Sequence, residues 1–323
     1  MGNTYSLKKM KEFKIDSASM PEELSQKIHE EYESRFDSNY IDKENYEIIF
    51  KEKECSKIVY HYTTVDAFFK IFDKFNAEKQ TFALRAGHAK YMNDPDEISR
   101  SIFIFKKALD DFEEKNLGDT DLYFGKKKQI SESLLNRIFA NQFILSFSKC
   151  MDSLPMWSTY CNKGRGIAIG IEVNNQNNWI DCTYNDNDFK MDCLKILEDG
   201  LYDSMMPKGI FRLQFNGLED IDRIRKLFLQ SKHPAYRYEQ ERRFIHNPIK
   251  ADMQRDKIFD SNSVMIKEYS NVNFSVESLR EIWIGPSLNQ DMIQSSVWKY
   301  FGHKGIRTNN FEYRLSDVPF RIL

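Results

Sequence analysis

From Ile58 onward the apolar positions of the chain alternate between two spacings, one suited to strands and the other to helices. Ile58-Val59-Tyr60-His61-Tyr62-Thr63-Thr64 is β-branched and aromatic and reads as a strand. Thr64 then stands where it can cap a helix whose Phe68, Ile71, Phe72 and Phe75 recur at helical spacing. The pattern predicts strands at 58–63, 80–85, 142–148, 166–173, 179–184, 241–246, 263–269 and 280–284. It predicts helices at 65–75, 96–116, 127–140, 188–205, 219–231 and 289–301. In the helix from Asp96, the residues Ile98, Ile102, Phe105, Leu109 and Phe112 share one face, as core-facing residues do. Residues 1–50 are more polar and look appended to a main domain over 51–323. Within them, Pro21-Glu22-Glu23 opens a helix, and Leu24, Ile28, Tyr32 and Phe36 form a stripe. That stripe docks either on the main domain or on a partner.

Composition narrows the class of protein. Of 323 residues, 41% are hydrophobic and 30% charged, which is ordinary for a soluble globular chain. The 25 Phe and 16 Tyr favour a fold containing sheet over a helical bundle. A formal net charge of −2 gives no general attraction to nucleic acid, so a nucleic-acid substrate requires a local basic face. Cys55, Cys150, Cys161, Cys182 and Cys193 show neither paired nor metal-ligand spacing and suit a reducing cytoplasm. The six His are scattered, so no metal is expected. No apolar run has membrane-spanning length.

The densest chemistry lies in Lys232-His233-Pro234-Ala235-Tyr236-Arg237-Tyr238-Glu239-Gln240-Glu241-Arg242-Arg243-Phe244-Ile245. If this run is a strand, Glu239 and Glu241 point to the same face. Adjacent like charges persist only with cationic partners, with a raised pKa, or in a functional role. The pair is therefore either a solvated edge neutralised by Arg237, Arg242 and Arg243, or a working pair of carboxylates. Several common catalytic motifs are missing: the phosphate-binding Gly-Lys-Ser/Thr loop, His-Glu-x-x-His, and Gly-x-Ser-x-Gly. Gly164-Arg165-Gly166 with Gly170 misses the dinucleotide fingerprint by one position and precedes a strand, so it reads as a tight turn.

Five segments recur in a fixed order: Tyr60-His61-Tyr62-Thr63-Thr64, Asn93-Asp94-Pro95, Phe143-Ile144-Leu145-Ser146-Phe147-Ser148, Met156-Trp157-Ser158-Thr159-Tyr160, and Glu239-Gln240-Glu241-Arg242-Arg243. This order, spanning roughly Ile58 to Pro286, resembles an uncharacterised bacterial domain family. That family in turn resembles the ADP-ribosyltransferase superfamily. The resemblance implies an α+β fold with a split, mostly antiparallel sheet, flanking helices and an N-terminal helical extension. It implies transfer of ADP-ribose from NAD to RNA or protein, in a toxin or anti-phage setting that would involve a regulatory or antitoxin protein. Glu241 would stabilise the cationic ribose, Glu239 would orient the acceptor or act as its base, and His61 would hold ribose hydroxyls. Tyr62, Thr63, Ser146, Ser148, Trp157 and Tyr160 would complete the NAD pocket, with Arg165 on the pyrophosphate. Ordinary alternatives stand beside these roles: a hydrogen-bonded core His, and core packing for Tyr62, Trp157 and Tyr160. Lys126-Lys127-Lys128 and Lys8-Lys9 with Lys11 are basic clusters for an RNA acceptor, or simply solvated lysines. Two rival functions remain: an NAD glycohydrolase in the same pocket, and a sensor that binds a nucleotide or partner without turnover.

Overall fold

The computed structural model describes residues 57–91, 97–117, 139, 142–201, 218–248, 257–261, 266–287, 289–307 and 311–319. The expected helix at Pro21, the Asn93-Asp94-Pro95 turn, the lysine clusters and all but Phe139 of the helix at 127–140 lie outside them. Ser56–Leu323 forms one compact unit of mixed α and β structure.

Among the described residues ten strands make an open, mostly antiparallel sheet. In chain order they are β1 (Ile58–Thr64), β2 (Thr81–His88), β3 (Phe143–Ser148), β4 (Gly166–Glu172) and β5 (Trp179–Asp181), followed by β6 (Glu241–His246), β7 (Lys257–Ser261), β8 (Ile266–Ser275), β9 (Leu279–Ile284) and β10 (Glu312–Leu315). The main path runs β10-β9-β4-β1-β3-β2-β8-β7, with β6 also on β3 and β5 on β6. The helices are α1 (Val65–Asp73), α2 (Glu97–Leu117), α3 (Leu154–Tyr160), α4 (Asp186–Ile196), α5 (Leu218–Phe228) and α6 (Gln290–Lys304).

The predicted elements map closely, with informative differences. The strand expected over 179–184 stops at Asp181, and Thr183 bridges to Ser231 instead. The helix expected over 188–205 begins at Asp186, capped by the Asn185 side chain, and passes into a π turn at Leu197–Leu201. Thr64 does cap α1, its hydroxyl accepting from the Ala67 amide at 3.1 Å. The cap directs Phe68 and Phe72 onto the sheet, against Phe82 and against Phe301 of α6. On the other face α2 buries Phe105, Leu109 and Phe112 in a cluster shared with Phe189 of α4 and Phe228 of α5. A smaller cluster beneath α3 joins Tyr60, Tyr62, Met156, Trp157, Cys161 and Ala168.

The sheet is not evenly zipped. Strand β1 pairs with β4 along its whole length but meets β3 only at Tyr60–Ser148. Strand β2 meets the same edge of β3 at the opposite end, through Gly87–Ile144 and His88–Phe143. Between these contacts Leu145, Ser146 and Phe147 have no paired strand on that edge among the described residues, whereas β6 pairs along the whole other edge of β3. Gly166 helps fix β1 in its place. A Cβ there would lie 2.3 Å from the Thr63 carbonyl oxygen and 2.5 Å from Cys161 Cβ, so the approach of β4 and α3 to β1 requires glycine.

Candidate functional site

Glu239 and Glu241 do not share a strand. Pro234–Glu239 forms a 3-10 helix, capped by His233, whose ring Nδ1 accepts from the Ala235 amide at 3.1 Å. Gln240 then adopts a left-handed conformation (φ 40°, ψ 52°), and β6 begins at Glu241. The two carboxylates converge because the chain reverses between them, and the two-residue alternation of a strand plays no part. Ser148 holds this turn: its hydroxyl donates to the Glu239 carbonyl oxygen at 2.6 Å and accepts from the Cys150 amide at 3.0 Å. Tyr184 adds a further tie by accepting the Glu241 amide at 2.7 Å.

Neither carboxylate forms a solvated edge, for Glu239 is 4% exposed and Glu241 is 2% exposed. Lys232 Nζ bridges them, with Glu239 Oε2 on one side and Glu241 Oε2 at 2.5 Å on the other. Arg243 grips Glu241 with both arms, Nε to Oε1 at 3.0 Å and a terminal nitrogen to Oε2 at 2.9 Å. The same guanidinium pairs with Glu97 at the start of α2 and donates to the Leu229 carbonyl at 2.6 Å. Of the three arginines expected to neutralise the pair, Arg243 does so, while Arg242 turns to Gln176 and Asp181. Tyr160 completes the group by donating to Glu239 Oε1 at 2.6 Å.

Burial opposes charge at Glu241, Lys232 and Glu97, and the neighbours of each decide the outcome. Burial alone would raise the Glu241 pKa, but Arg243 and Lys232 outweigh it and hold the carboxyl far below the usual carboxylate range. Burial would lower the Lys232 pKa, and Glu241 leads the groups that keep it above the ordinary lysine value. Glu97 goes the other way: desolvation raises its pKa, and Arg243 only partly offsets this. With all five side chains ionised, Glu97, Glu239 and Glu241 outnumber Lys232 and Arg243 by one charge.

A cavity of about 260 Å³ opens where β1 and β3 part. Consecutive residues line it, Tyr60-His61-Tyr62 from β1 and Ile144 to Ser148 from β3. A pocket lying on one face of a zipped sheet would meet alternate residues only, so the lining marks the gap itself. His61 fills part of that gap. Its Nδ1 lies 3.2 Å from the Ser146 carbonyl oxygen, which makes Nδ1 the protonated nitrogen, and its ring meets Phe147 edge-on at 5.6 Å. Desolvation lowers the His61 pKa, against the hydrogen bond to Ser146.

The cavity brings together His61, Tyr62, Ser146, Ser148, Tyr160, Glu239 and Glu241 from the expected set. Thr63, Trp157 and Arg165 are not among its lining residues. Trp157 is wholly buried; its indole donates to Asp152 Oδ1 at 2.7 Å and packs edge-on against Tyr62 at 4.8 Å. Thr63 is buried opposite Ile167 of β4, and Arg165 is exposed in the turn before β4. Residues without an assigned role in the sequence also line the cavity: Lys232 and Glu97 at the carboxylates, and Arg85, Tyr91, Lys267 and Tyr269 toward β2 and β8. Lys232 lies in the same run as the carboxylates, and Tyr91 and Glu97 flank the Asn93-Asp94-Pro95 segment, but Arg85, Lys267 and Tyr269 belong to no motif and only the fold assembles them with the rest.

Among the described residues no helix is long and apolar enough to cross a membrane. A family model described as Protein of unknown function (DUF2971) matches residues 156–244, a segment that runs from Met156 of α3 through both carboxylates into β6. No curated protein and no solved structure matches the chain.

Proposed function

We propose that the protein transfers ADP-ribose from NAD, using the cavity between β1 and β3. The observation that carries this reading is the buried carboxylate pair bordering a gap in an antiparallel sheet. In this reaction the bond between ribose and nicotinamide breaks, and its electron pair leaves with the neutral base. The ribose passes through an oxocarbenium-like state, and the acceptor's nucleophile forms the new bond and releases its proton. A carboxylate fixed in advance beside the ribose favours that cationic state, because no reorganisation is needed as the charge develops. The Lys232 bridge and the Tyr160 hydroxyl supply such fixing to Glu239. The cavity is smaller than most small-molecule sites, so the nicotinamide ribose would enter while the rest of NAD extends outward.

The two carboxylates are unequal. Glu241 already accepts from Arg243 at both oxygens, and from Lys232 and Cys182 at Oε2. Among the described residues Glu239 accepts from Lys232 and Tyr160 alone and keeps acceptor capacity for a ligand. We therefore assign the ribose-facing or proton-accepting role to Glu239, and give Glu241 the task of positioning it through Lys232. This reverses the order implied by the sequence resemblance.

The saturation of Glu241 also favours a second reading, a nucleotide-binding sensor without turnover, since full mutual pairing is what a structural ion cluster shows. One experiment separates the readings. The protein is incubated with NAD labelled on the adenylate phosphate and a cell lysate, nicotinamide release is followed by chromatography, and the products are treated with nuclease or protease. Label retained on RNA or protein identifies a transferase and its acceptor. Nicotinamide released without label transfer identifies a glycohydrolase. NAD-induced thermal stabilisation without release identifies a sensor.

A further inference from the structure

The cavity is electrically polarised, and its second end lies away from the carboxylates. Opposite the carboxylates, β2 and β8 pair in register through Arg85–Asn271 and Gly87–Tyr269. Strand alternation puts Arg85 and Gly87 on one face of β2, and Lys267 and Tyr269 on one face of β8. All four line the cavity. Among the described residues Arg85 is held by a 2.9 Å pair with Asp260, and the two side chains are 39% and 58% exposed. Lys267 Nζ reaches the Tyr91 carbonyl oxygen at 3.4 Å, the long end of hydrogen bonding. Two cations thus stand at the mouth with donors to spare, beside the rings of Tyr91 and Tyr269. Asp260 and Glu268 are the carboxylates at this end, and Lys267 faces Asp260 across the β7–β8 ladder.

We propose that Arg85 and Lys267 form a diphosphate subsite that fixes which way a nucleotide enters. An anion is repelled from Glu239 and Glu241, whose cationic partners are buried and already paired with them. It is accepted where the guanidinium can leave an exposed aspartate for phosphate oxygens that suit its fork. The phosphates then lie toward β2 and β8, the uncharged ribose points toward Glu239, and Tyr91 or Tyr269 offers a face to a base. Arg165, the arginine that the sequence suggests for pyrophosphate, stands outside the cavity. This inference rests on the reading of the cavity as a nucleotide site and deepens it by naming the charged subsite.

The test uses the full chain and the variant R85A/K267A, both positions being partly exposed. Binding of ADP-ribose, inorganic pyrophosphate and adenosine is measured by calorimetry at two salt concentrations. The wild type is expected to bind ADP-ribose more tightly than adenosine, with an affinity that falls as salt rises. The double variant is expected to lose at least about 10-fold for ADP-ribose and for pyrophosphate, leave adenosine unchanged and lose the salt dependence. Unchanged ADP-ribose affinity in the variant overturns the subsite, as does an equal loss for adenosine or a wild type that binds neither phosphate ligand. Selective loss of binding to a short single-stranded RNA, with ADP-ribose unaffected, also overturns it and gives the rim to an acceptor. The two readings fail separately. Phosphate binding that depends on Arg85 and Lys267, without cleavage of NAD, leaves the subsite standing and removes the transferase. Normal NAD turnover with an unchanged KM in R85A/K267A does the reverse.

Discussion

At the β6 end of the cavity Lys232, Glu239, Glu241, Arg243 and Glu97 are buried and hold one another, whereas at the β2–β8 end Arg85, Lys267 and Asp260 stand partly in solvent. Both ends contain opposite charges within contact distance, yet the physics differs. A buried ion that loses its partner stays uncompensated in a medium that solvates it poorly. An exposed ion exchanges its partner for water at little cost. The first end can therefore hold atoms in place, and the second can rearrange around a ligand.

The largest effect is expected from Arg243→Met. It leaves Glu241 and Glu97 without their shared cation in the interior and should lower stability by about 3–5 kcal/mol, read from urea unfolding. A loss below about 1 kcal/mol would mean that the cluster is wetter than its geometry implies. Glu241→Gln comes next, at about 2–3 kcal/mol, because Arg243 retains Glu97 and Lys232 retains Glu239. A variant at Glu241 therefore tests folding and chemistry together.

Acidification sharpens the contrast. The folded-state pKa of Glu241 lies far below its unfolded value, so its contribution is fully present above the unfolded carboxylate pKa of about 4.3 and is lost as pH falls toward the folded value. Glu97 has the opposite sign. Its folded pKa is raised, so its ionisation costs stability at neutral pH, and protonation relieves that cost as pH falls. The melting temperature of the wild type should fall below about pH 4.5 more steeply than that of Glu241→Gln. Parallel curves would remove Glu241 from the account of acid stability. The smallest effect is expected at the exposed end, where Arg85→Ala should change stability by less than about 1 kcal/mol.

The sheet was largely legible in the sequence because β1, β3, β4 and β9 carry β-branched and apolar runs bounded by polar turns. The edge strands β7 (Lys-Ile-Phe-Asp-Ser) and β10 (Glu-Tyr-Arg-Leu) are short and half polar, and their pairing depends on neighbours that a linear pattern does not contain. The α3 helix spans seven residues, too few to display a period, so Trp157 and Tyr160 look equivalent although one is core and the other bonds Glu239. The site was legible as a pair of carboxylates but not as a charge cluster. Gln240 takes a left-handed conformation with no glycine to signal it, and that turn lets Lys232 fold back onto both acids. Glu97, just after the Asn93-Asp94-Pro95 segment, and Arg85, which belongs to no motif, reach the cavity from α2 and β2, distant in sequence from the carboxylates.

Glu239 is proposed to act on NAD at the buried end of the cavity. Nicotinamide release by the wild type and by Glu239→Gln, compared at equal folded fraction, tests this role most directly. The substitution keeps the acceptor for Tyr160 and leaves Lys232 paired with Glu241, so a shift in melting temperature of a few degrees is expected. The wild type is expected to release nicotinamide and the variant to lose at least about 100-fold, the scale of one electrostatic group acting in a transition state. Release by Glu239→Gln at the wild-type rate, or no release by the wild type with any acceptor preparation, would contradict that role.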